Sequence, residues 1–346
     1  MTMRQMIMPE PGKVEFREAE IPSVGPGEVK LRIRALGICG SDIHVFHGTH
    51  PYTGYPVVQG HEVCGDIVEV APDVRGPKVG DRVVVQPQVA CGTCEQCVAG
   101  LYHICDELKV MGFQTVGLGS DFYVLPAQRV TVVPEGTDRF EAAALEPLAV
   151  AVHAVDRVLT VEGKAVLVIG GGPVGNLTAQ VARAMGASKV ILSELSPYRR
   201  DKAAECDIAL VGDGSAPATP DQVRDAFGGV LADIVFECVG AMPTVAGTLD
   251  LVRKGGTVVV VGVVGELVPM NMGFVQDHEL TIFGSAMYQD QDFVAASKLV
   301  AEGKVNLKVL VSRVVPFEQY PDAYRIADTE RNSLMKVYVD LGDAER

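Results

Sequence analysis

A glycine-rich turn between an apolar run and a helical pattern restricts the fold of this chain more than any other feature. The stretch KAVLVIGGGPVGNLTAQVARAMG carries Gly170, Gly172 and Gly175 directly after the apolar run. In a G-x-G-x-x-G turn the first glycine permits the bend, the second lets the backbone approach a pyrophosphate, and the third lets helix and strand pack closely. Because such a helix presents free N–H groups to phosphates, the stretch predicts a dinucleotide-binding strand–helix unit.

The sequence after that turn alternates between short apolar runs and helix-like spacers. The runs are KVILSEL, IALVG, DIVFECVG, GTVVVVGV and LTIFGSA. Strands that alternate with helices form a parallel sheet with helices on both faces. Together with the strand before the turn, we therefore predict a six-stranded α/β domain, a doubly wound Rossmann sheet, at residues 149–288.

The residues before this domain have the pattern of irregular β structure. In EVKLRIRA the apolar side chains alternate with Lys30, Arg32 and Arg34, as in a half-buried strand. The runs GDIVEV and GDRVVVQP add short strands, and glycine and proline recur throughout. We predict a barrel-like β domain at residues 1–148, to which the segment 289–346 returns through KVYVDL after a helical stretch.

Composition narrows the class of function. The 346 residues carry a formal net charge of −14, so the surface repels phosphate backbones and does not suit nucleic-acid binding. No apolar run reaches the length of a membrane helix, about 18 residues, and the first residues lack the apolar stretch of a signal peptide. We therefore expect a cytoplasmic protein, in which closely spaced cysteines more often bind metal than form disulfides.

An acidic residue follows the glycine turn at the distance that dinucleotide-binding folds use. Glu194 ends the next apolar run, roughly twenty residues after the turn. A carboxylate at this position accepts hydrogen bonds from both hydroxyls of an adenine ribose and repels a 2′-phosphate, which favours NAD over NADP. Arg199 and Arg200 leave an alternative open, because they bind a 2′-phosphate or, in the case of Arg199, stack on the adenine.

Four of the eight cysteines fall within the single stretch CGTCEQCVAGLYHIC. They are Cys91, Cys94, Cys97 and Cys105. Three thiols from a tight loop and a fourth beyond it suit a closed tetrahedral zinc site, which holds structure and leaves no position for a substrate. Free thiols or disulfides are the alternative.

A second set of metal-binding residue types is scattered over three separate stretches. GICGSDIH contains Cys39, GHEVCG contains His61 and Glu62, and LEPLAVAVH contains Glu146. Taken singly, each residue has an ordinary structural account: a lone cysteine is a small buried hydrophobe, and a glutamate before proline often starts a helix. Spacing alone therefore leaves a second metal site open.

The order of the motifs CGSD, GHE, CGTCEQC, EP and GGGPVG resembles that of the zinc-dependent medium-chain alcohol and polyol dehydrogenases, over nearly the whole chain. The segment EPLAVAVHA, where other branches carry a cysteine, resembles the polyol branch typified by sorbitol (L-iditol) dehydrogenase. The resemblance implies a GroES-like catalytic domain plus a Rossmann domain, with the active site in the cleft between them, in a homodimer or homotetramer.

The resemblance also implies roles for individual residues. The implied ligands of a catalytic zinc are Cys39, His61, Glu62 and Glu146. Glu146 replaces the cysteine ligand of ordinary alcohol dehydrogenases, and Ser41 and His44 occupy the positions that relay the proton of the alcohol. The implied contacts with NAD come from Gly170, Gly172, Val174, Gly175, Glu194, Arg199, Val261, Gly262 and Val263.

The charge of this ligand set indicates how the two carboxylates divide their roles. Zinc with one thiolate, one neutral imidazole and both carboxylates is negative overall, and a negative site stabilises an alkoxide poorly. We therefore expect Glu146 to stay outside the direct ligands and to accept a hydrogen bond from water on the zinc or from the hydroxyl next to the reacting one. Such a contact favours vicinal diols over monoalcohols.

The expected activity is NAD-dependent oxidation of a secondary hydroxyl of a polyol to a ketone, with two zinc ions per chain. Val45 and Met287 stand where sorbitol enzymes carry an aromatic residue and an arginine, which leaves the choice among polyols open. Oxidation of 2,3-butanediol or L-threonine is the alternative within the family, and a non-catalytic NAD-binding protein is the alternative outside it.

Overall fold

The computed structural model describes residues 1–342 of the chain. Its strands, in chain order, are β1 (Thr2–Glu10), β2 (Lys13–Glu20), β3 (Glu28–Gly37), β4 (Glu62–Val70), β5 (Arg82–Val85), β6 (Gln88–Val89), β7 (Lys109–Val110), β8 (Phe122–Pro126), β9 (Val130–Val132), β10 (Ala165–Ile169), β11 (Lys189–Ser193), β12 (Ala209–Leu210), β13 (Ala232–Glu237), β14 (Val252–Val260), β15 (Thr281–Gly284), β16 (Val311–Pro316) and β17 (Lys336–Asp340).

Helices fill the intervals between many of these strands. In chain order they are α1 (Gly40–Phe46), α2 (Glu95–Val98), α3 (Arg139–Ala143), α4 (Leu145–Asp156), α5 (Pro173–Ala184), α6 (Pro197–Ala204), α7 (Pro220–Ala226), α8 (Met242–Leu251), α9 (Met272–Asp277), α10 (Asp290–Ala301) and α11 (Tyr320–Thr329). Within residues 1–342, none of the helices combines the length and apolarity that a bilayer crossing requires.

The contacts between residues divide the chain into two units. The first contains Met1–Glu146, Gln289–Ser297 and the chain from Leu310 onward, and the second contains Pro147–Tyr288 and Lys298–Val309. The chain thus enters the first unit, leaves it and comes back. The domain boundaries that the sequence predicts, after residues 148 and 288, stay predictions.

The first unit is built on a mixed sheet with the strand order β16-β17-β3-β4-β5-β9, in which β8 also pairs with β3. Along β3 the apolar residues are buried and alternate with half-buried charged ones, as the period-two pattern predicts. The strand β17 pairs antiparallel with β3, so KVYVDL does return to this sheet. Sequence reasoning missed β16, whose run VSRVVP alternates too weakly to stand out from the helical stretches around it.

The second unit contains the sheet that the alternating runs predict. Its strand order is β12-β11-β10-β13-β14-β15, and every pairing in it is parallel. The strands β10 and β13 are apolar over nearly their whole length and are buried, as expected for the centre of a sheet that is covered on both faces. The predicted doubly wound Rossmann sheet is confirmed.

Three strands of the first unit, β3, β4 and β17, come together at one end of its sheet. Gly37, the last residue of β3, pairs in register with Glu62, the first residue of β4, and also with Tyr338 of β17. Lys336 opens β17 and therefore lies at the same end of the sheet. The residue after Ile38 is Cys39, which begins α1 as its N-cap. One end of this sheet thus presents a thiol, a carboxylate and a lysine together.

Candidate functional site

Three residue types that bind zinc converge at this end of the sheet. The ligand atoms of Cys39, His61 and Glu62 all lie within 4.8 Å of one another. Gly60 allows the chain to turn into His61, because it has φ of +109° and an added Cβ would lie 2.5 Å from a methyl group of Leu36. A thiolate, an imidazole and a carboxylate are a suitable donor set for zinc, so these side chains fit the ion.

A buried carboxylate orients the histidine of this group. The Nδ1 atom of His61 lies 3.4 Å from Oδ1 of Asp42, which leaves Nε2 as the nitrogen for a metal. Asp42 is fully buried and is itself fixed, since it accepts hydrogen bonds from the backbone N–H of Cys39 at 2.9 Å and from Nε2 of Gln59 at 3.0 Å. The hydroxyl of Tyr324 in turn donates to Oε1 of Gln59 at 2.8 Å.

The electrostatics of His61 follow from these neighbours. Burial lowers its pKa, but the carboxylate of Asp42 and the thiol of Cys39 more than reverse that effect, so the pKa of His61 is raised well above its ordinary value. A proton therefore competes with a metal ion for this imidazole. Asp42 was not among the predicted site residues, although its place between Cys39 and His44 in CGSDIH was a usable signal.

A buried lysine binds the carboxylate of the group. The Nζ atom of Lys336 lies 2.6 Å from both carboxylate oxygens of Glu62, and the two residues are only 4% and 1% exposed. Gly37 leaves the space for this pair, because an added Cβ there would lie 2.3 Å from Oε2 of Glu62. Sequence reasoning missed Lys336, which follows Glu62 by 274 positions and stands in an ordinary strand pattern.

Lys336 changes the charge balance on which the expected roles of the carboxylates depended. Without a metal ion, burial lowers its pKa, but Glu62, Cys39 and Glu146 raise it by more, so the pKa of Lys336 is raised. With this cation included, a zinc ion with one thiolate and two carboxylates is neutral overall rather than negative. The expectation that one carboxylate must leave the direct ligands therefore loses its electrostatic premise.

The remaining predicted catalytic residues lie on the two helices next to this group. Glu146 lies in the first turn of α4, is buried and acts electrostatically on Lys336. Among the described residues it does not belong to the converging set of three. Ser41 and His44 lie on α1, with Ser41 half-buried and His44 exposed. Nδ1 of His44 is 3.4 Å from the hydroxyl of Thr49.

The four-cysteine stretch forms a second group with matching ligand atoms. The atoms of Cys91, Cys94, Cys97 and Cys105 lie within 4.8 Å of one another. The sulfur–sulfur distances of 4.0 Å (Cys91–Cys97) and 3.9 Å (Cys94–Cys105) exceed a disulfide bond of about 2.05 Å and suit thiolates around one zinc at about 2.3 Å each. We call residues 91–105 the cysteine lobe. Four thiolates complete the coordination of one zinc ion, so the lobe fits a structural zinc site.

Backbone N–H groups prepare the thiols of the cysteine lobe for a cation. Cys91 accepts hydrogen bonds from the N–H groups of Thr93 at 3.5 Å and Cys94 at 3.3 Å. These contacts, together with the hydroxyl of Thr93, lower the pKa of Cys91 to about 6. The lobe also contacts the start of α10. The hydroxyl of Tyr102 donates to Oδ1 of Asp290 at 2.7 Å and accepts from the backbone N–H of Asp290 at 2.6 Å.

In the second unit the glycine turn has the close approaches that its motif requires. Gly170 has φ of +95°, and Gly172 is the N-cap of α5. An added Cβ at Gly175 would lie 1.9 Å from the carbonyl oxygen of Gly170, so only glycine fits there. Val174 lies in the first turn of α5 and is half-buried. The geometry fits a pyrophosphate against the helix N-terminus.

Glu194 lies directly beside that turn. Its Oε2 accepts from the N–H of Gly171 at 2.6 Å, and its Oε1 accepts from the N–H groups of Leu195 at 2.6 Å and Ser196 at 2.7 Å. Arg200 donates to the carbonyl oxygens of Glu194 and Gly212 at 3.1 and 2.8 Å, so its guanidinium holds the backbone. The other arginine, Arg199, points toward the turn, with Nη1 3.6 Å from where a Cβ of Gly172 would lie.

A second loop lies at the carboxyl ends of the neighbouring strands. The N–H groups of Val261 and Gly262 donate to the backbone oxygen of Glu237 at 2.8 and 2.9 Å. The carboxylate of Glu237 is fully buried and accepts from the N–H groups of Val239 and Gly240 at 3.0 Å. Val263 follows and is 84% exposed. Sequence reasoning placed Val261, Gly262 and Val263 at the cofactor but missed Glu237, whose carboxylate fixes the neighbouring loop at Val239 and Gly240.

The two departures from the sorbitol enzymes have different settings. Val45 is fully buried and belongs to the apolar core of the first unit, which indicates a packing role rather than contact with a substrate. Met287 has φ of +55°, a conformation that a residue with a side chain seldom adopts. Such strain is often found at functional positions, so Met287 stays a candidate for the substrate pocket.

The comparisons with known proteins cover both parts of the chain. The sequence-family model of the alcohol dehydrogenase GroES-like domain matches residues 25–135, and the family model of the zinc-binding dehydrogenases matches residues 173–302. The chain is 35% identical to the L-galactonate-5-dehydrogenase of Escherichia coli (strain K12) over 337 residues, which cover 97% of this chain and 98% of the relative. It is 34% identical to the sorbitol dehydrogenase of Halalkalibacterium halodurans, with 93% and 95% covered.

A solved structure shows the same agreement in three dimensions. It is described as a zinc-binding dehydrogenase of Sinorhizobium meliloti 1021 bound to NADP. The TM-score is 0.88 at 32% sequence identity, and the match covers 98% of this chain and 99% of that one.

Proposed function

Because this chain belongs to the zinc-dependent medium-chain polyol dehydrogenase family, we propose that it oxidises one secondary hydroxyl of an acyclic polyol or aldonate to a ketone, and catalyses the reverse reduction. The observation that carries the proposal is the convergence of Cys39, His61 and Glu62 within 4.8 Å. The names of the relatives, L-galactonate-5-dehydrogenase and sorbitol dehydrogenase, support this substrate class.

The side chains divide the work around the reacting hydroxyl. Bound zinc supplies a Lewis acid and bound NAD supplies the hydride acceptor. Cys39 and His61 hold the metal, and Asp42 keeps the imidazole turned toward it. Ser41 takes the proton of the substrate hydroxyl, and His44, which is exposed, passes it to solvent. Glu146 accepts a hydrogen bond from the neighbouring hydroxyl, which a monoalcohol lacks.

The cofactor of the proposed reaction is NAD. The carboxylate of Glu194 is held beside the glycine turn by three backbone N–H groups, so it cannot swing away from an approaching 2′-phosphate without losing them. Arg200 is committed to two carbonyl oxygens. Replacing Glu194 with serine is expected to raise the kcat/KM ratio of NADP to NAD. Wild-type enzyme that uses NADP alone would contradict the assignment.

The test of the activity combines metal analysis with a substrate panel. We expect two zinc ions per chain and NADH formation with alditols or aldonates in the presence of NAD. The panel also contains cyclitols, 2,3-butanediol and L-threonine, and faster turnover of either of the last two would replace the polyol proposal. A non-catalytic NAD-binding protein would contain one zinc per chain and form no NADH with any alcohol.

The assembly and location of the enzyme are further parts of this proposal. Among the described strands, β15 pairs only with β14, so the outer edge of the sheet is open. An open edge of this kind invites pairing with a second copy of the chain, which supports a homodimer or homotetramer. Light scattering that gives the mass of one chain would contradict it. Cell fractionation tests the proposed cytoplasmic location.

A further inference from the structure

The pair of Glu62 and Lys336 is an unusual feature to find beside a metal site. Lys336 is 4% exposed, and its Nζ lies 2.6 Å from both oxygens of Glu62. A lysine is rarely buried to this degree unless a carboxylate neutralises it. The chain also keeps a glycine at position 37, where any side chain would collide with Glu62. The pair is therefore a built feature of the sheet rather than a chance surface contact.

The position of the pair gives it a consequence for any cation bound at the site. A carboxylate oxygen of Glu62 lies within 4.8 Å of the ligand atoms of Cys39 and His61, so the oxygens that face the metal are the ones that accept from Lys336. An ammonium group on these oxygens withdraws the negative charge that they would offer to zinc. It also repels a dication directly, since both charges lie in a buried region of low polarity.

We propose that Lys336 is a positioning residue for the catalytic metal. The lysine shares the carboxylate of Glu62 with the zinc, and this sharing keeps the ion electrophilic and exchangeable. This inference rests on the proposed zinc site at Cys39, His61 and Glu62. The lysine makes the full set of ligands neutral, which allows both carboxylates to stay close to the ion. Without it, Glu62 becomes a full ligand, and the zinc is held more tightly and polarises a hydroxyl less.

A purely structural role for Lys336 predicts a different outcome. In that case the lysine only neutralises a carboxylate inside the protein, and its loss lowers the stability of the fold without changing how the metal is held. The two roles are separated by zinc affinity and by the coordination of the metal, which do not depend on turnover.

The first experiment measures zinc affinity at the catalytic site by competition with a chelator, with the cysteine lobe intact. Loss of an outer-shell partner typically costs about 10- to 100-fold in metal affinity. Lys336 instead competes with the metal for Glu62, so we expect a change of similar size and opposite sign, with Lys336→Met binding zinc at least about tenfold more tightly than wild type. Lys336→Arg, the matched control that keeps the charge, is expected to stay close to wild type. Unchanged or weaker binding by Lys336→Met would overturn the proposal.

A double variant shows whether the effect passes through Glu62. Glu62→Gln removes the carboxylate that the lysine shares. In this background we expect Lys336→Met to lower the logarithm of the zinc dissociation constant by less than half of the amount that it does in the wild-type protein. A full gain in this background would mean that the lysine acts as a distant charge, and would overturn the sharing of Glu62.

The second experiment records the visible absorption of cobalt at the catalytic site. We expect Lys336→Met to shift the d–d bands and weaken them, because an added carboxylate ligand raises the coordination number. Lys336→Arg is expected to keep the wild-type spectrum. An identical spectrum in the methionine variant would overturn the proposal.

A crystal structure of the zinc-loaded wild-type protein keeps the proposal testable if the variants fail to fold. We expect Nζ of Lys336 to stay within hydrogen-bond distance of Glu62 with zinc present. Glu62 bound to the metal through both oxygens and turned away from the lysine would overturn the inference alone. A wild-type chain that binds zinc only in the cysteine lobe would overturn the catalytic site together with it.

Discussion

The cysteine lobe and the group at Cys39, His61 and Glu62 are both sets of metal-binding side chains, but they are made in opposite ways. All four ligands of the lobe come from residues 91–105, and three of them are half-buried. The other group takes its members from the end of one strand and the start of the next, and draws a buried lysine from β17. The lobe is local and close to solvent, whereas the second group depends on the sheet.

The two groups of ligands suit different tasks, one structural and one chemical. The lobe offers four thiolates, which would fill every position around a zinc ion. The group in the sheet uses different donors, keeps a carboxylate tied to a lysine and orients its histidine through Asp42. A closed set of identical ligands needs only a short loop, whereas a site that must stay reactive needs a rigid surrounding structure.

Removing one ligand from each group gives the largest expected contrast. Cys39→Ser deprives the catalytic zinc of its thiolate, and a Lewis acid contributes several kcal/mol, so we expect kcat/KM to fall about 10³-fold or more. Cys97→Ser is expected to cause a much smaller loss of turnover. Steady-state kinetics together with zinc content per chain test this. Equal losses in the two variants would end the division into catalytic and structural sites.

Disturbing the orientation of His61 should weaken only one of the two sites. Asp42→Asn keeps an oxygen for the N–H of Cys39 but removes the charge beside Nδ1 of His61. We expect zinc affinity at the catalytic site to fall about 10- to 100-fold, while the lobe keeps its zinc. Titration with a chelator resolves the two ions. A loss of zinc from the lobe instead would show that Asp42 supports the fold and not the site.

The structural role of the lobe is checked by hydrogen exchange. Cys97→Ser leaves three thiolates in the lobe, so we expect it to destabilise the lobe by about 1–3 kcal/mol, within the range of most destabilising substitutions. Because Tyr102 holds the start of α10, faster exchange should extend to the amides around Asp290. Amides of β4 serve as the control and should exchange at the wild-type rate. Uniform acceleration throughout the first unit would contradict a local role.

The smallest effect concerns acidity within the zinc-free lobe. Hydrogen bonds from the N–H groups of Thr93 and Cys94 lower the pKa of Cys91 to about 6, while burial raises the pKa of Cys97 to about 12. A lowered pKa means that the thiolate is present above that pH, so alkylation of Cys91 should rise between about pH 5 and 7 and exceed that of Cys97. Mass spectrometry follows both. A midpoint of Cys91 alkylation above pH 8 would show that the backbone N–H groups do not lower the pKa of this thiol.

The parts of the molecule that the sequence predicts are those that local patterns control. The alternation in β3, the apolar run of β10 and the glycine turn each depend on neighbours in the chain, and the structure contains all three. The four thiols of the lobe belong to the same class, because a short loop brings them together. Periodicity and spacing are enough for such features.

The parts that sequence reasoning missed depend on pairings between distant residues. Lys336 stands in KVYVD like any lysine at the start of a strand, and only the pairing of β17 with β3 brings it to Glu62. In the sequence Glu237 is simply the last residue of a buried strand. Only the folded structure shows that its carboxylate accepts from the N–H groups of Val239 and Gly240. The charge argument that excluded Glu146 from the ligands lost its premise for the same reason, because the compensating cation was not visible in the sequence.

The return of β17 to the first sheet also has a consequence for the order in which the molecule is completed. A ribosome makes every residue of the second unit before Lys336 emerges. Until then the sheet of the amino-terminal segment lacks β17, and Glu62 lacks the ammonium group that it contacts in the folded protein. Domains that fold during synthesis normally do so from the amino terminus. Here the earliest-made half of the molecule can acquire its finished metal-binding chemistry only after the later-made half has been synthesised.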